Sequence, residues 1–259
     1  KNVNVKSMTT RAIAARRAAF DEYMSQGGFP ELQFIRDDKE YIDGLVNNIL
    51  RRDIEQRFKV VHTYAFEQMA HHLLNVAPAV VVDKTLQETF GFKSQHTAKN
   101  YVSYLKQAYL LVGLHKYSPK SRQRIVGEKV YPIDVALMNK RDNAFAGENL
   151  GWRLETIVYL DLLRKYKRRG FDIYYYDGRS GECDFIVCDG RKAVLAVQVS
   201  YDISSPKTKK REIAGLLMAA KKTGCDRLLL LTDHDNEDLI HDGYNIAIRP
   251  VYDYVLTTS

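Results

Sequence analysis

The 259-residue chain contains 45% hydrophobic and 27% charged residues. This mixture is typical of globular proteins and excludes disordered, collagen-like and disulfide-scaffold chains. Three cysteines cannot form a disulfide framework, so we expect a reducing, cytoplasmic location. No apolar run approaches the roughly 20 residues that cross a bilayer and no signal peptide opens the sequence, so we expect no membrane partner. Because the first residue is Lys1 and not Met, we expect the chain to be part of a longer protein.

The formal net charge of +7 favours polyanionic partners where the basic residues cluster. Basic clusters are visible at residues 11–17, 116–124, 164–169 and 207–211. Cations near the C-terminus of a helix are favoured by the helix dipole, which accounts for residues 164–169. Cations at a helix start oppose the dipole, so residues 207–211 need a nearby anion or screening by solvent.

The first half of the chain is predicted to be mainly helical. Apolar residues recur at helical spacing in residues 10–25, 41–52 and 64–76. The sequence Gly27-Gly28-Phe29-Pro30 ends the first of these patterns, and Pro78 ends the third. We assign residues 1–140 to a helical N-terminal domain.

The end of that domain has the element order of a winged helix. A short helix closed by Gly91 is followed by a longer helix, which Ser94 is suited to cap. Strands are predicted at residues 110–114 and 129–133, with a basic loop between them. Helix, tight turn, helix and two-stranded hairpin together predict a winged helix at about residues 78–134.

The second helix of the winged helix would be its recognition helix. Its polar face carries side chains suited to phosphates and base edges, and the loop of the hairpin carries cations suited to the DNA backbone. The helix residues are His96, Lys99, Asn100 and Ser103, and the loop residues are Lys120, Arg122 and Arg124. Many winged helices bind protein or pack against a neighbouring module instead. The sequence therefore leaves duplex DNA and a protein partner open.

Residues 141–259 are predicted to form an α/β domain. Its predicted order is one helix, three strands, a second helix and two more strands, which is typical of an α/β sandwich. The helices are predicted at residues 148–168 and 207–222, and the strands at residues 172–176, 184–187, 193–199, 227–232 and 246–251. The acidic run at residues 233–238 lacks the glycine and the final Glu of a calcium-binding hand, so we predict a solvated loop there.

Four polar positions of this second domain resemble a nuclease active site. Glu155 lies beside the apolar stripe of its helix, and Asp184 opens a strand. Gln198 and Ser200 are two residues apart on the next strand and therefore share a face. In restriction-endonuclease-like nucleases, an Asp on one strand and a Glu-x-Lys or Asp-x-Lys on the next bind Mg²⁺ and position water.

The second strand departs from that pattern. Gln198 offers a neutral carbonyl oxygen in place of a carboxylate, and Ser200 offers no cation. Three hypotheses stay open for the cleft. It is a nuclease that uses Glu155, Asp184 and Gln198, with Glu155 and Asp184 as ligands of Mg²⁺ or Mn²⁺; it binds nucleic acid without cleaving it; or its carboxylates only stabilise the fold.

Motifs along nearly the whole chain resemble, in the same order, the C-terminal half of a family of predicted prokaryotic ATPases of the AAA superfamily. They are Tyr23 with Gly27-Gly28-Phe29-Pro30-Glu31; Asp53-Ile54; residues 98–110; Val130-Tyr131-Pro132-Ile133-Asp134; Gly151 with Leu154-Glu155 and Val158-Tyr159; Gly181-Glu182-Cys183-Asp184-Phe185; and Gln198-Val199-Ser200-Tyr201-Asp202 with Thr208 and Arg211-Glu212. The resemblance implies a preceding ATPase domain, then a winged helix, then a restriction-endonuclease-like domain of unknown function.

ATP would be bound only by that preceding domain, because this chain has no G-x-x-x-x-G-K-S/T phosphate loop. The leading prediction is therefore a nucleic-acid-binding effector or regulatory region of an ATPase, with a degenerate nuclease-like site. The alternatives are a metal-dependent nuclease and a protein-interaction module that docks on the ATPase domain.

Overall fold

A computed structural model describes residues 9–35, 38–118, 127–138, 148–178 and 181–257. It confirms the predicted α/β class, since a helical N-terminal region is followed by a large mixed sheet. In these ranges, no helix combines the length and the apolarity that crossing a bilayer requires. The three cysteines are buried and form no disulfide.

The N-terminal helices agree with the predicted ones to within a few residues. They are α1 (Thr10–Gln26), α2 (Asp38–Asn48), α3 (Gln56–Phe58), α4 (Thr63–Val76), α5 (Asp83–Phe90) and α6 (Gln95–Gln107), with a 3₁₀ turn at Pro30–Gln33 and a π-helical segment at Ile49–Glu55 between α2 and α3. Local chemistry sets the turn between α5 and α6. Gly91 ends α5 with a φ of 69°, and the Ser94 hydroxyl accepts a hydrogen bond from the Thr97 amide at 3.2 Å.

The described residues form one nine-stranded sheet in the order β1-β3-β2-β4-β5-β6-β7-β9-β8. The strands are β1 (Ala79–Val81), β2 (Leu111–Lys116), β3 (Glu128–Pro132), β4 (Asp172–Gly178), β5 (Gly181–Asp189), β6 (Lys192–Val199), β7 (Leu228–Thr232), β8 (Glu237–His241) and β9 (Tyr244–Pro250). The antiparallel pair β2–β3 is the hairpin predicted for the winged helix, and β1 adds a third antiparallel strand. The pairs β2–β4, β6–β7 and β7–β9 are parallel.

Three further helices cover the second half of the sheet. They are α7 (Glu148–Tyr166), α8 (Pro206–Thr223) and α9 (Val251–Thr257), with 3₁₀ turns at Val135–Met138 and Lys167–Arg169. The strands alternate between the two faces, as β5 illustrates. Phe185 and Val187 pack in the core with α7, while Ile186 and Cys188 pack in the core with α8. The order α7, β4, β5, β6, α8, β7 is the predicted one.

The helical region and the α/β region are joined by a continuous sheet and by contacts of helix α1. His115 and Lys116 at the end of β2 pair in parallel with β4, so the sheet is continuous between the two parts. Helix α1 leaves its own region, because its side chains Phe20 and Met24 belong to the core under α7. The Arg17 guanidinium also contacts the Asp233 carboxylate at 2.7 Å. The boundary at residue 140 stays a prediction.

Four of the α-helices and strands described above were absent from the sequence prediction: α3, β1, β8 and α9. The predicted solvated loop at residues 233–238 is wrong at both ends, because Asp233 is buried and Glu237 and Asp238 open β8. This strand is largely exposed and is held by its pairing with β9, so its sequence lacks the apolar alternation by which a half-buried strand is recognised.

Candidate nucleic-acid interface and nuclease-like cleft

Helix α6 has a buried face and a polar face. Ala98, Val102 and Leu105 pack in the helical core, as the apolar stripe predicted. On the other side, the four predicted contact residues are exposed or half-buried: His96, Lys99, Asn100 and Ser103. The predicted loop residues Lys120, Arg122 and Arg124 lie outside the described residues.

A cleft of about 640 Å³ lies between α7, the ends of β5 and β6, and the first turns of α8. The structure brings the predicted residues Glu155, Asp184 and Gln198 together in its wall. Three cations from the start of α8 also line the cleft, and these are Lys207, Lys210 and Arg211. The cleft is therefore acidic in its interior and basic at one side.

Asp184 is buried at the floor of this cleft. Its Oδ2 accepts a hydrogen bond from the Val199 amide at 2.8 Å. Burial raises the pKa of the Asp184 carboxyl well above its usual range, and the charge of Glu155 adds to the effect, while the Lys129 ammonium partly offsets it. We conclude that Asp184 holds its proton more tightly than an exposed aspartate does.

Gln198 is engaged on both sides of its amide. Its Oε1 accepts a hydrogen bond from the backbone amide of Asp184 at 3.1 Å, and its Nε2 donates to Glu212 Oε2 at 2.7 Å. The oxygen that the sequence offered as a neutral metal ligand thus holds β5 against β6. Glu212, a buried carboxylate on α8, was not predicted as a site residue, although it belongs to the Arg211-Glu212 motif.

Glu155 is held by two residues from the winged helix. Its Oε1 accepts hydrogen bonds from Lys129 Nζ and from the Tyr131 hydroxyl, both at 2.7 Å. Burial acts to lower the pKa of Lys129, but the charges of Glu155 and Asp184 outweigh it and raise that pKa. Sequence reasoning missed both residues. Their spacing of two on β3 places them on one face, but no local signal indicates that this face meets α7.

The residues present do not fit the Mg²⁺ ion that the nuclease resemblance implies. Mg²⁺ needs several free oxygen ligands, preferably anionic ones. In the cleft, oxygens of Asp184, Gln198 and Glu155 already accept hydrogen bonds from protein donors. Throughout the described ranges, no group of three or more His, Cys, Asp or Glu side chains is arranged to hold a metal ion.

The cations at the start of α8 have acidic partners within the chain. Lys209 Nζ contacts Glu237 Oε1 at 2.6 Å, and Arg211 Nε donates to Glu212 Oε1 at 3.1 Å. These carboxylates are the nearby anions that were expected from the sequence for residues 207–211. They offset the unfavourable interaction between these cations and the helix dipole.

Comparisons with known proteins place these features in a family. Residues 17–147 match the family model of a domain of unknown function, DUF8612, over just over half of the chain. The chain belongs to the DUF8612 family. Beyond this DUF8612 region, residues 150–252 match a second domain of unknown function, DUF4143. The residues that line the cleft lie in the DUF4143 match, and Lys129, which contacts Glu155 of that cleft, lies in the DUF8612 region.

This DUF8612 chain is similar to longer proteins. It is 29% identical to an uncharacterized protein of Methanocaldococcus jannaschii, over 99% of this chain and 60% of that protein. It is 28% identical to an uncharacterized protein of Haemophilus influenzae, over 71% of this chain and 46% of that protein. The chain thus spans less than two thirds of the length of each of these relatives. No solved structure matches it.

The raised pKa of Asp184 predicts a pH-dependent stability of the DUF8612 chain. Above about pH 4 the unfolded chain loses the proton that the native state retains, so this residue makes the free energy of unfolding fall as the pH rises. We expect Asp184→Asn to raise that free energy by about 1–2 kcal/mol near pH 7 and to change it little near pH 3. Urea unfolding at several pH values measures both quantities.

Asp242→Asn is the control for this experiment. Asp242 is exposed, and a hydrogen bond from Lys221 lowers the pKa of its carboxyl, so this variant should gain no stability at neutral pH. A gain for Asp184→Asn that is equally large at low and neutral pH would contradict the assignment.

Proposed function

We propose that this chain is a nucleic-acid-binding region that contacts duplex DNA through α6 and does not cleave it. The observation that carries the proposal is the exposed polar face of α6, which follows α5 after a tight turn and precedes the β2–β3 hairpin. A helix in this position enters the major groove in winged-helix proteins. His96 and Lys99 are exposed there and are chemically suited to phosphates and base edges.

Two further features support this function. The net charge of +7 favours association with a polyanion, and Lys207 and Lys210 add a basic side to the cleft. Two observations support the absence of cleavage: oxygens of Glu155, Asp184 and Gln198 accept hydrogen bonds from the protein, and no group of three or more acidic, His or Cys side chains in the described ranges is arranged to hold a metal ion.

We expect the affinity for duplex DNA to fall as the salt concentration rises, because phosphate contacts release counterions. Lys99→Ala should weaken binding several-fold and reduce the salt slope by about one. Lys192→Ala is the matched control, since Lys192 is an exposed lysine at the start of β6, whereas Gln198 lies near the other end of this strand. The loss of Lys192 should leave the affinity nearly unchanged. Fluorescence anisotropy with a labelled duplex measures the affinities.

Two results would count against this function. One is an absence of binding at low salt, or binding that Lys99→Ala and Arg122→Ala leave unchanged. The other is Mg²⁺- or Mn²⁺-dependent cleavage of the same duplex that Asp184→Ala and Glu155→Ala abolish, which would establish the nuclease alternative.

We also propose that the region regulates an ATPase domain in a longer protein. The motif order that resembles the AAA family supports this, and so does the greater length of the two relatives. The expected result is a changed rate of ATP hydrolysis when this region is deleted from the longer protein. An unchanged rate, with and without DNA, would exclude such regulation.

A further inference from the structure

Lys129 is a buried cation that contacts Glu155, a residue in the wall of the nuclease-like cleft. Its side chain and that of Glu155 are each only 12% exposed, and Lys129 Nζ lies 2.7 Å from Glu155 Oε1. The lysine comes from β3, a strand of the winged helix, whereas its partner comes from α7. It is therefore brought to the cleft by the tertiary structure.

The Lys129 ammonium is surrounded by acidic groups. It contacts Glu155, and the carboxyl groups of Asp184 and Glu182 on β5 are close enough to act on its charge. The Tyr131 hydroxyl donates to the same oxygen of Glu155, and the Tyr131 ring lies with its centroid 5.7 Å from Lys129 Nζ. One positive charge among three carboxyl groups is the electrostatic role that a bound divalent cation would otherwise take.

We propose that Lys129 is a built-in counter-ion that takes the place of a divalent cation in this cleft. Its ammonium neutralises the acidic interior and occupies an oxygen of Glu155, so Mg²⁺ and Mn²⁺ do not bind while it is present. Ser200, which follows β6, supplies no cation, and Lys129 supplies one from β3 instead. This proposal concerns metal binding, and it holds whether or not α6 contacts DNA.

Removal of the Lys129 ammonium should allow the cleft to bind a divalent cation. Without Lys129, the carboxyl groups of Glu155 and Asp184 lose their internal cation, while Tyr131 still donates a hydrogen bond to Glu155. A buried acidic cluster without a counter-ion favours a cation from solution. The wild-type chain should therefore not bind divalent ions, whereas a variant without the Lys129 charge should bind them.

The test is a calorimetric titration of MnCl₂ into the wild-type chain and into Lys129→Gln, without DNA. Gln keeps a hydrogen-bond donor for Glu155 but removes the charge. We expect no saturable binding by the wild type, and one Mn²⁺ per chain in Lys129→Gln with an affinity at least about tenfold higher. A second substitution, Glu155→Gln, should abolish the gain. Lys116→Gln is the matched control, because Lys116 contacts Asp177 at the surface and should bring no gain.

Saturable Mn²⁺ binding by the wild type with an affinity like that of Lys129→Gln would overturn the proposal, and so would a folded Lys129→Gln that binds no Mn²⁺. Circular dichroism establishes folding. If Lys129→Gln does not fold, thermal unfolding of the wild type decides. A midpoint raised by millimolar Mn²⁺ would overturn the proposal, and an unchanged midpoint would support it.

Discussion

Replacing Gly215 with alanine is expected to lower the free energy of unfolding by about 3 kcal/mol. A Cβ atom at this position of α8 would lie 2.2 Å from the carbonyl oxygen of Glu182 on β5. That oxygen belongs to the backbone, so the helix or the strand must move to relieve the contact. The glycine therefore permits the close approach of α8 to β5 that brings Glu212 to Gln198.

Gly44→Ala is the matched control for this substitution. Gly44 lies inside α2, and a Cβ there would meet nothing within 4 Å. The change should raise the free energy of unfolding by about 0.5–1 kcal/mol, because alanine loses less backbone entropy in a helix than glycine does. Urea unfolding followed by circular dichroism compares the two variants. Equal effects would mean that the contact with Glu182 is relieved without cost.

Arg153→Met is expected to lower the free energy of unfolding by about 3 kcal/mol, and this is the second large effect. Arg153 is a buried residue of α7, and its Nη1 donates to the carbonyl oxygens of Met24 at 2.8 Å, Ser25 at 3.2 Å and Val135 at 3.3 Å. Two of these carbonyls belong to the last turn of α1, where helix geometry leaves acceptors without partners. The variant would leave buried acceptors without this donor.

Arg168→Met serves as the control, since Arg168 is an exposed residue of the 3₁₀ turn that follows α7. Its loss should change the free energy of unfolding by less than about 0.5 kcal/mol. Limited proteolysis adds a second readout, because α1 should become cleavable in Arg153→Met before the rest of the chain. If α1 resists proteolysis in a folded Arg153→Met variant, Arg153 does not hold that helix in place.

The winged helix and the cleft are joined through β3. Lys106 at the end of α6 contacts Glu128 on this strand at 2.6 Å, and the next residue, Lys129, contacts Glu155 at 2.7 Å. One short strand thus contacts both α6 and the cleft residue Glu155. The titration and the DNA-binding measurements together bear on this link, since Lys129→Gln alters the cleft end alone.

Much of the fold could be predicted from the sequence because its signals are local. Ser94 and Gly91 define the turn before α6 by capping and by a left-handed backbone, and both act within a few residues. The apolar runs of β5 and β6 likewise follow from burial on both faces of the sheet. The edge strand β8 escaped prediction because its neighbours, and not its own apolar residues, hold it in place.

The candidate site was predictable only in part. Glu155, Asp184 and Gln198 were placed in one cleft from their positions on a helix and two adjoining strands. The hydrogen-bond partners of these side chains could not be predicted from the sequence. The partners Lys129 and Glu212 come from elements whose packing no local pattern specifies. The same holds for α1, where Arg17 meets Asp233, a residue 216 positions away.

The sequence by itself determined the α/β class, the helix-turn-helix before the hairpin, and the replacement of an acid and a lysine by Gln198 and Ser200. These follow from periodicity, capping and residue chemistry over short distances. Only the tertiary structure decided that Lys129 supplies a cation from another strand and that Glu155, Asp184 and Gln198 each accept a hydrogen bond from within the protein. Such contacts depend on how distant elements pack, and the free energy of that packing is a property of the whole fold.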